Sequence, residues 1–258
     1  MKNRYLLIFW LLVSIGCFNK VFAQDNYEIQ VYSSEIVEKH HTVFELHSNY
    51  TLNGAKEAQD GMFPSNHLIH ETIEITHGFS KWMEIGAYIF TSIGSDSRTG
   101  FAGTHIRPRF VIPEEYKLPV GISLSTEIGY QRLPFFGRQW LIEIRPIIDK
   151  KMDRFYFGVN STIDLSLDKN QHDGLLFNPC FKSSYELNKK VDLGIEYYAG
   201  LGAFKEFDPI QNQKHMLFGA FDWDFDPDWE FNAGLGYGLT SGTDKWIFKF
   251  IIGWRVPI

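Results

Sequence analysis

Charged and histidine side chains recur at every second position in this chain, as His105-x-Arg107-x-Arg109, Glu45-x-His47 and Glu143-x-Arg145. A spacing of two places such side chains on one face of a β-strand, so each run is a polar stripe backed by an apolar one. The candidates for that polar face are Glu45, His47, His70, Glu74, Glu84, His105, Arg107, Arg109, Glu127, Glu143, Arg145, Asp164, Lys182, Glu196 and Lys249. The chemistry open to charges gathered on a common inner wall is electrostatic rather than covalent. Rings of such residues select solutes in a channel, or opposite charges pair and fill a bore of limited width.

Covalent and metal chemistry find less support. His67-x2-His70-Glu71 has the residue types of a metal site, but on a strand a three-residue spacing sends the two histidines to opposite faces. The acidic run Asp222, Asp224, Asp226, Asp228 offers Ca²⁺ ligands, yet it surrounds a tight-turn sequence and reads as a solvated strand end. Ser161 has the outward parity of a lipid-facing nucleophile, the arrangement of outer-membrane phospholipases. The strands beside it present Trp140, Ile142 and Ile144 on one side and Phe177, Pro179 and Phe181 on the other, with no outward histidine to act as base. No glycine-rich phosphate loop, dinucleotide fingerprint or nucleophile elbow is present. The expectation is a non-enzyme with no catalytic residues, no cofactor and no metal.

The elements that position these stripes are strands. From His41 to Arg255 apolar and polar residues alternate, restarting about every twenty residues, and a period of two is a strand period. About twelve candidate strands emerge, each near the roughly ten residues of a tilted membrane strand. They run 41–52, 67–77, 82–93, 101–112, 119–132, 138–149, 154–166, 174–187, 191–202, 214–225, 229–239 and 245–256. His77 to Lys81, Lys150 to Asp153, Asn188 to Lys190 and Asp226 to Asp228 are tight turns. Asn53 to Asn66, Gly94 to Gly100, Leu167 to Asp173 and Lys205 to Gln213 are longer, the pattern of short periplasmic turns and long outer loops. An even strand count then puts both chain ends on the periplasmic side.

Parity assigns Trp140, Ile142, Ile144 and Ile148, then Ile106, Phe110 and Ile112, then Trp246, Phe248, Phe250, Ile252 and Trp254, to lipid. Trp82, Tyr88, Phe101, Trp140, Phe155, Trp229, Tyr237, Trp246 and Trp254 fall near strand ends, where interfacial girdles belong. Glu71 shares the outward parity and is expected at the outer rim, where a charge is cheaper than at mid-depth. Pro108 and Pro146 each remove a ladder donor and predict bulges. A soluble sandwich or lipocalin-like barrel also alternates, with its apolar face inward. Strand number, strand length and aromatic placement favour the membrane form: an all-β, transmembrane, antiparallel up-and-down barrel.

Met1 to Gln24 reads as a signal peptide, with basic Lys2 and Arg4, an apolar run from Tyr5 to Ile15, and Val21-Phe22-Ala23 placing cleavage near Gln24. A lipoprotein site at Ser14-Ile15-Gly16-Cys17 is the alternative. Export leaves Cys180 as the single cysteine and excludes an intrachain disulfide framework. No later stretch approaches the roughly twenty apolar residues of a membrane helix, so strands are the spanning option. The formal net charge of −6 is mild, and no basic run interleaved with aromatics points to nucleic acid. The expected organisation is a signal peptide over 1–24, a short periplasmic arm over 25–40 and an outer-membrane barrel over 41–258.

Several segments carry a family likeness: Glu28-Ile29-Gln30-Val31-Tyr32, Phe44-Glu45-Leu46-His47-x-Asn49-Tyr50, Glu74-Ile75-Thr76-His77-Gly78-Phe79-Ser80-x-Trp82-x-Glu84-Ile85-Gly86-x-Tyr88, and Gly234-Leu235-Gly236-Tyr237-Gly238-Leu239-Thr240. With these the chain resembles the transporter-like outer-membrane β-barrels of the putative phenol-degradation-pathway (MetA-pathway) family of Gram-negative bacteria. The chain end Gly253-Trp254-Arg255-Val256-Pro257-Ile258 is similar to the insertion signal of such barrels, with Ile258 in place of the usual aromatic. The resemblance implies passive movement of small, often hydrophobic, molecules and no catalytic residues. Expected partners are outer-membrane lipids, the barrel-assembly machinery and a small-molecule solute, with no nucleic acid. Two other functions fit the same residues: a non-conducting structural or surface-interaction barrel, and an outer-membrane lipid hydrolase.

Overall fold

The alternation closes into a cylinder. In the computed structural model, which describes residues 26–58, 61–168 and 174–257, twelve long antiparallel strands each pair with their chain neighbours. They are β1 (His41–Asn53), β2 (Leu68–Ser80), β3 (Met83–Ile93), β4 (Gly100–Val111), β5 (Gly121–Gln131), β6 (Trp140–Met152), β7 (Phe155–Ser166), β8 (Leu175–Asn188), β9 (Val191–Gly200), β10 (Lys214–Trp223), β11 (Trp229–Gly238) and β12 (Trp246–Pro257). The last strand returns to the first, from His41 opposite Pro257 to Thr51 opposite Ile247, so the sheet has no edge. Each strand's backbone then has a neighbouring strand on both sides, as a bilayer requires. No α-helix occurs among the described residues; two short 3₁₀ turns, Asp96–Arg98 and Glu114–Tyr116, interrupt the links. The predicted signal peptide over 1–24 lies outside the described residues.

An even strand number brings β1 and β12 to one end, here the terminal rim. The β2–β3, β6–β7 and β8–β9 turns there are tight, while the β1–β2 and β9–β10 links at the opposite, loop rim are the longest. One link departs from the pattern. Residues 112–120 at the terminal rim form a longer connection around Glu114–Tyr116, closed by Lys117 in the left-handed region at φ 49 and by an exposed ion pair of Lys81 with Glu115.

The outward face is apolar as the parity requires. Trp82, Phe155, Trp229 and Trp254 ring the terminal side and Phe101, Trp140, Tyr237 and Trp246 the loop side, all between 38% and 48% exposed. Trp229 stacks on Trp254 across strands and Tyr237 meets Trp246 at a tilt, with ring centres 6.0 and 4.8 Å apart. Tyr88 is the exception among the expected girdle residues: it is 0% exposed, because inward parity on β3 belongs to Glu84, Tyr88 and Phe90, and outward parity to Ile89. Glu71 is half-buried near the loop rim and accepts a hydrogen bond from Ser48 Oγ at 2.7 Å.

The prolines behave differently from the expectation. Opposite Pro108 the β4–β5 ladder passes from Ile106 with Ile128 to Arg109 with Ser125, and opposite Pro146 the β6–β7 ladder passes from Ile144 with Ile163 to Ile147 with Asn160. Register is kept in both places, so each proline omits ladder pairs on one side without inserting a residue. The bulges sit elsewhere, at Thr51/Asn53, Gly78/Ser80, Phe90/Thr91 and Glu186/Asn188.

Candidate functional site

The interior is occupied by the chain's own residues 26–38, a strap that runs the length of the lumen. This places the described part of the expected periplasmic arm inside the barrel. At the loop rim Asn26 Nδ2 donates to Asp244 Oδ2 at 2.8 Å. At the terminal rim His40 N donates to Gly78 O at 2.9 Å, just before β1 begins. The sequence contained a signal for this path: Tyr27, Ile29 and Val31 alternate with Glu28 and Gln30, a strand-like run ahead of the first strand.

Apolar strap residues seek the few apolar patches of the wall. Ile29 and Val31 pack with Cys180, Tyr198, Met216, Phe218 and Ile247, and Tyr27 with Tyr88, Phe90, Ala102 and Phe136. These inward aromatics break the polar-in rule of the wall, and the strap covers them. Burial of that surface is the non-directional part of docking.

The directional part is hydrogen bonding. A strap inside a closed barrel finds no strand edge, so wall side chains must satisfy its backbone. Asn160 Oδ1 accepts from Tyr32 N at 2.8 Å and Asn160 Nδ2 donates to Tyr32 O at 2.9 Å. Asp149 accepts from both the backbone N and Oγ of Ser34, each at 2.7 Å. Glu84 Oε2 accepts from Val37 N at 2.6 Å, Lys249 Nζ donates to Ile29 O at 3.2 Å, and Thr72 Oγ1 donates to Tyr27 O at 2.8 Å. Asn160, Asp149, Ser34 and Tyr32 lie outside the candidate residues: Tyr32 and Ser34 belong to the strap, Asn160 is uncharged, and Asp149 shares the parity of Glu143 and Arg145, a signal that could have found it.

Around the strap the wall charges pair among themselves. Arg107 donates to Glu74 Oε1 at 2.5 Å, to Glu84 Oε1 at 2.9 Å and to the Tyr88 hydroxyl, and Arg109 donates to Glu84 Oε1 at 2.8 Å. Arg145 lies 2.7 Å from Glu143, whereas Glu127 is held by His105 Nδ1 at 3.2 Å. On the far wall Lys249 meets Glu196 at 2.5 Å, and Lys182 meets Asp222 at 2.8 Å and Glu196 at 3.5 Å. Asp164 accepts from Asn178 at 2.7 Å, and the buried His70 ring meets Tyr27 edge-on at 4.7 Å. Glu45 and His47 complete the set beside Glu74. His67, in contrast, is exposed, within 3.1 Å of the Tyr50 hydroxyl, so the two histidines do diverge.

Two cavities lie beside the strap. One of about 170 Å³ opens among loop-rim residues and is lined by Glu28, Glu127, Glu143, Asp164 and Asp208 against Arg138, Arg145 and Lys214. Asp208, in the β9–β10 link, has its carboxyl pushed above the usual range by burial. The other, about 180 Å³, lies toward the terminal rim beside Glu45, Glu74, Glu84, Arg107, Arg109, Glu230 and Arg255. Gln30 lines both, and Tyr32 lines only the terminal-side one, so the strap between them divides the bore.

Solved structures share this architecture. The COG4313 outer membrane channel from Pseudomonas putida F1 aligns over 89% of this chain and 100% of its own, with TM-score 0.63 and 8% identity. The NanC porin aligns over 83% and 99% with TM-score 0.57 and 8% identity, and the KdgM porin over 82% and 98% with TM-score 0.56 and 8% identity. The chain has the fold of the outer-membrane porin-type barrels. No protein-family model matches it and no curated protein matches it. At such low identity the likeness concerns the fold, and the family likeness of the sequence segments remains a resemblance. Of the structures compared, KdgM is a porin and COG4313 an outer membrane channel. Ser161 pairs with Pro179, and neither β6 nor β8 contains a histidine.

Proposed function

We propose that the protein is a passive outer-membrane channel for small molecules, closed at rest by residues 26–38. The observation that supports this reading most is that wall charges which touch the strap also hold partners within the wall. Withdrawal of the strap leaves Arg107 with Glu74 and Glu84, and Lys249 with Glu196. It breaks hydrogen bonds that entering water replaces, each about 0.5–1.5 kcal/mol net and about 1.5–3 kcal/mol where the wall group is charged, and it exposes the buried Ile29 and Val31, at about 1.5–3 kcal/mol each.

In this reading the signal peptide over 1–24 is removed near Gln24, and 41–258 span the outer membrane of a Gram-negative cell with the terminal rim in the periplasm. The fifteen polar-face residues from Glu45 to Lys249 line the opened path. One porin of like fold, KdgM, has been captured with a disordered oligogalacturonate, an acidic solute. The loop-side cavity here has five carboxylates against three cations, which suits neutral or cationic solutes better than polyanions.

The test is planar-bilayer conductance of the refolded chain beside a variant lacking 26–38. The full chain should insert with rare, small openings and the deletion variant should conduct steadily. Repeated insertion of the deletion variant without conductance would instead support the second reading, a structural barrel whose long outer links bind a partner.

A further inference from the structure

Neither ring nitrogen of His47 has a hydrogen-bond partner, although the residue is 0% exposed. Its Nε2 faces two carboxylates, Glu45 Oε1 at 3.7 Å and Glu74 Oε2 at 3.5 Å. The geometry follows from the fold: Glu45-x-His47 puts both side chains on the inner face of β1, and Glu74 is the direct register partner of Glu45 on β2. Glu74 divides its oxygens. Oε1 accepts from Arg107 and from Thr76 Oγ1, while Oε2 has no hydrogen-bond partner and faces His47. One donor atom from each of the three residues lies within 4.8 Å of the others.

A protonated imidazole between two carboxylates would draw them to the roughly 2.7–2.9 Å of charge-assisted hydrogen bonds. The observed separations are longer. The His47–Glu74 separation falls within the spacing between ligands on one tetrahedral ion, about 3.3–3.6 Å when metal–ligand distances are about 2.0–2.2 Å, and the His47–Glu45 separation of 3.7 Å lies just beyond it. We infer that Glu45, His47 and Glu74 form a binding site for a single divalent cation of the Zn²⁺ class. One imidazole nitrogen with two carboxylate oxygens suits such an ion, whereas Ca²⁺ takes about six to eight oxygens. Glu45 and Glu74 line the cavity of about 180 Å³ at the terminal rim, where Glu230 sits against Glu45. That cavity gives an ion a route in and leaves a position for water. An ion held there cross-links β1 to β2 inside the barrel, independently of whether the strap moves.

The test uses the full refolded chain in detergent micelles, stripped with EDTA and dialysed against ZnCl₂, with CoCl₂ as a spectroscopic probe. One Zn²⁺ per chain is expected, and Co²⁺ should show a visible ligand-field band of low coordination number. His47→Gln and Glu45→Gln should each weaken binding by more than the roughly 10–100-fold that loss of a supporting partner costs, and the Co²⁺ band should vanish in His47→Gln. His67→Gln, at an exposed histidine outside the site, should leave both readouts unchanged. Retention of the folded, heat-modifiable band on gels shows that each variant has folded. Should His47→Gln fail to refold, Glu45→Gln, at the half-buried edge of the site, carries the same test. Equal affinity and stoichiometry in either site variant and the wild type, or no binding by the wild type at micromolar Zn²⁺, overturns the assignment.

Discussion

The guanidinium carbon of Arg145 lies 4.7 Å from the centre of the Tyr32 ring. Arg107 and Arg109 approach the same ring at 5.1 and 5.6 Å, so three cations from β4 and β6 surround one aromatic side chain of the strap. The Tyr32 hydroxyl adds contacts to Glu28 at 3.1 Å and to Tyr88 at 3.2 Å. A desolvated cation–π contact contributes about 0.5–2 kcal/mol, which makes this ring an anchor of the strap. Tyr32→Ala should raise the open probability in single-channel recordings, while Tyr32→Phe, which keeps the ring, should stay near wild type. A closed level in Tyr32→Ala as stable as in the wild type would show that the strap is held elsewhere.

Lys249 and Glu196 form the tightest ion pair of the far wall, both almost fully buried. Breaking a buried pair from one side leaves an uncompensated charge and costs about 3–5 kcal/mol, whereas replacing both partners is far milder. Lys249→Met alone should therefore lower the guanidinium midpoint of the folded barrel markedly, and the double variant Lys249→Met with Glu196→Gln should recover most of the loss. Additive effects of the two single changes would mean that water already screens the pair.

Charge selectivity should follow the wall once the strap is absent. In the variant lacking 26–38, replacing Arg107 and Arg109 by Gln removes two positive charges while Glu74 and Glu84 remain beside the path. Reversal potentials in a salt gradient should shift toward cation preference. Unchanged potentials would place the selecting constriction away from β4.

Much of the barrel was legible because lipid imposes its pattern on every strand: Trp246, Phe248 and Trp254 could face nowhere but out, and register then carried Lys249 in. Tyr88 departs from the girdle because it shares the parity of the inward Glu84, and an aromatic near a strand end does not by itself fix the face. A proline in a strand predicts a bulge only if a missing donor is equated with an extra residue. In the sheet the two are separable, and the ladder resumes in register past Pro108 and Pro146. The polar stripes gave the wall residues, but the pairing of Glu45 with Glu74 depends on the β1–β2 register across a long link, and the route of 26–38 depends on closure of β12 onto β1.

Closure of the lumen by the strap is open to a reversible test at Gly121. A Cβ added there would lie 2.1 Å from Ser34 Oγ, 2.2 Å from Asp149 Oδ1 and 3.1 Å from Ser34 Cβ. Glycine at this point lets the strap reach Asp149, and Gly121→Ala should pry Ser34 away and favour opening. The same closeness permits a cross-link, because disulfides need Cβ separations of roughly 3.5–4.5 Å, a few tenths beyond the present spacing. In Ser34→Cys with Gly121→Cys the oxidised protein should be locked shut. Reduction should release it to a more open state than the wild type, since the two hydrogen bonds from Ser34 to Asp149 are then gone. Cys180 is buried in the apolar cluster against Ile29 and Val31 and should not compete for the bond. Conductance is recorded before and after adding reductant to one channel population, with the cross-link verified by mass. Identical conductance in the two redox states, with the disulfide demonstrably formed, would mean that solutes pass beside the strap and that 26–38 are not the gate.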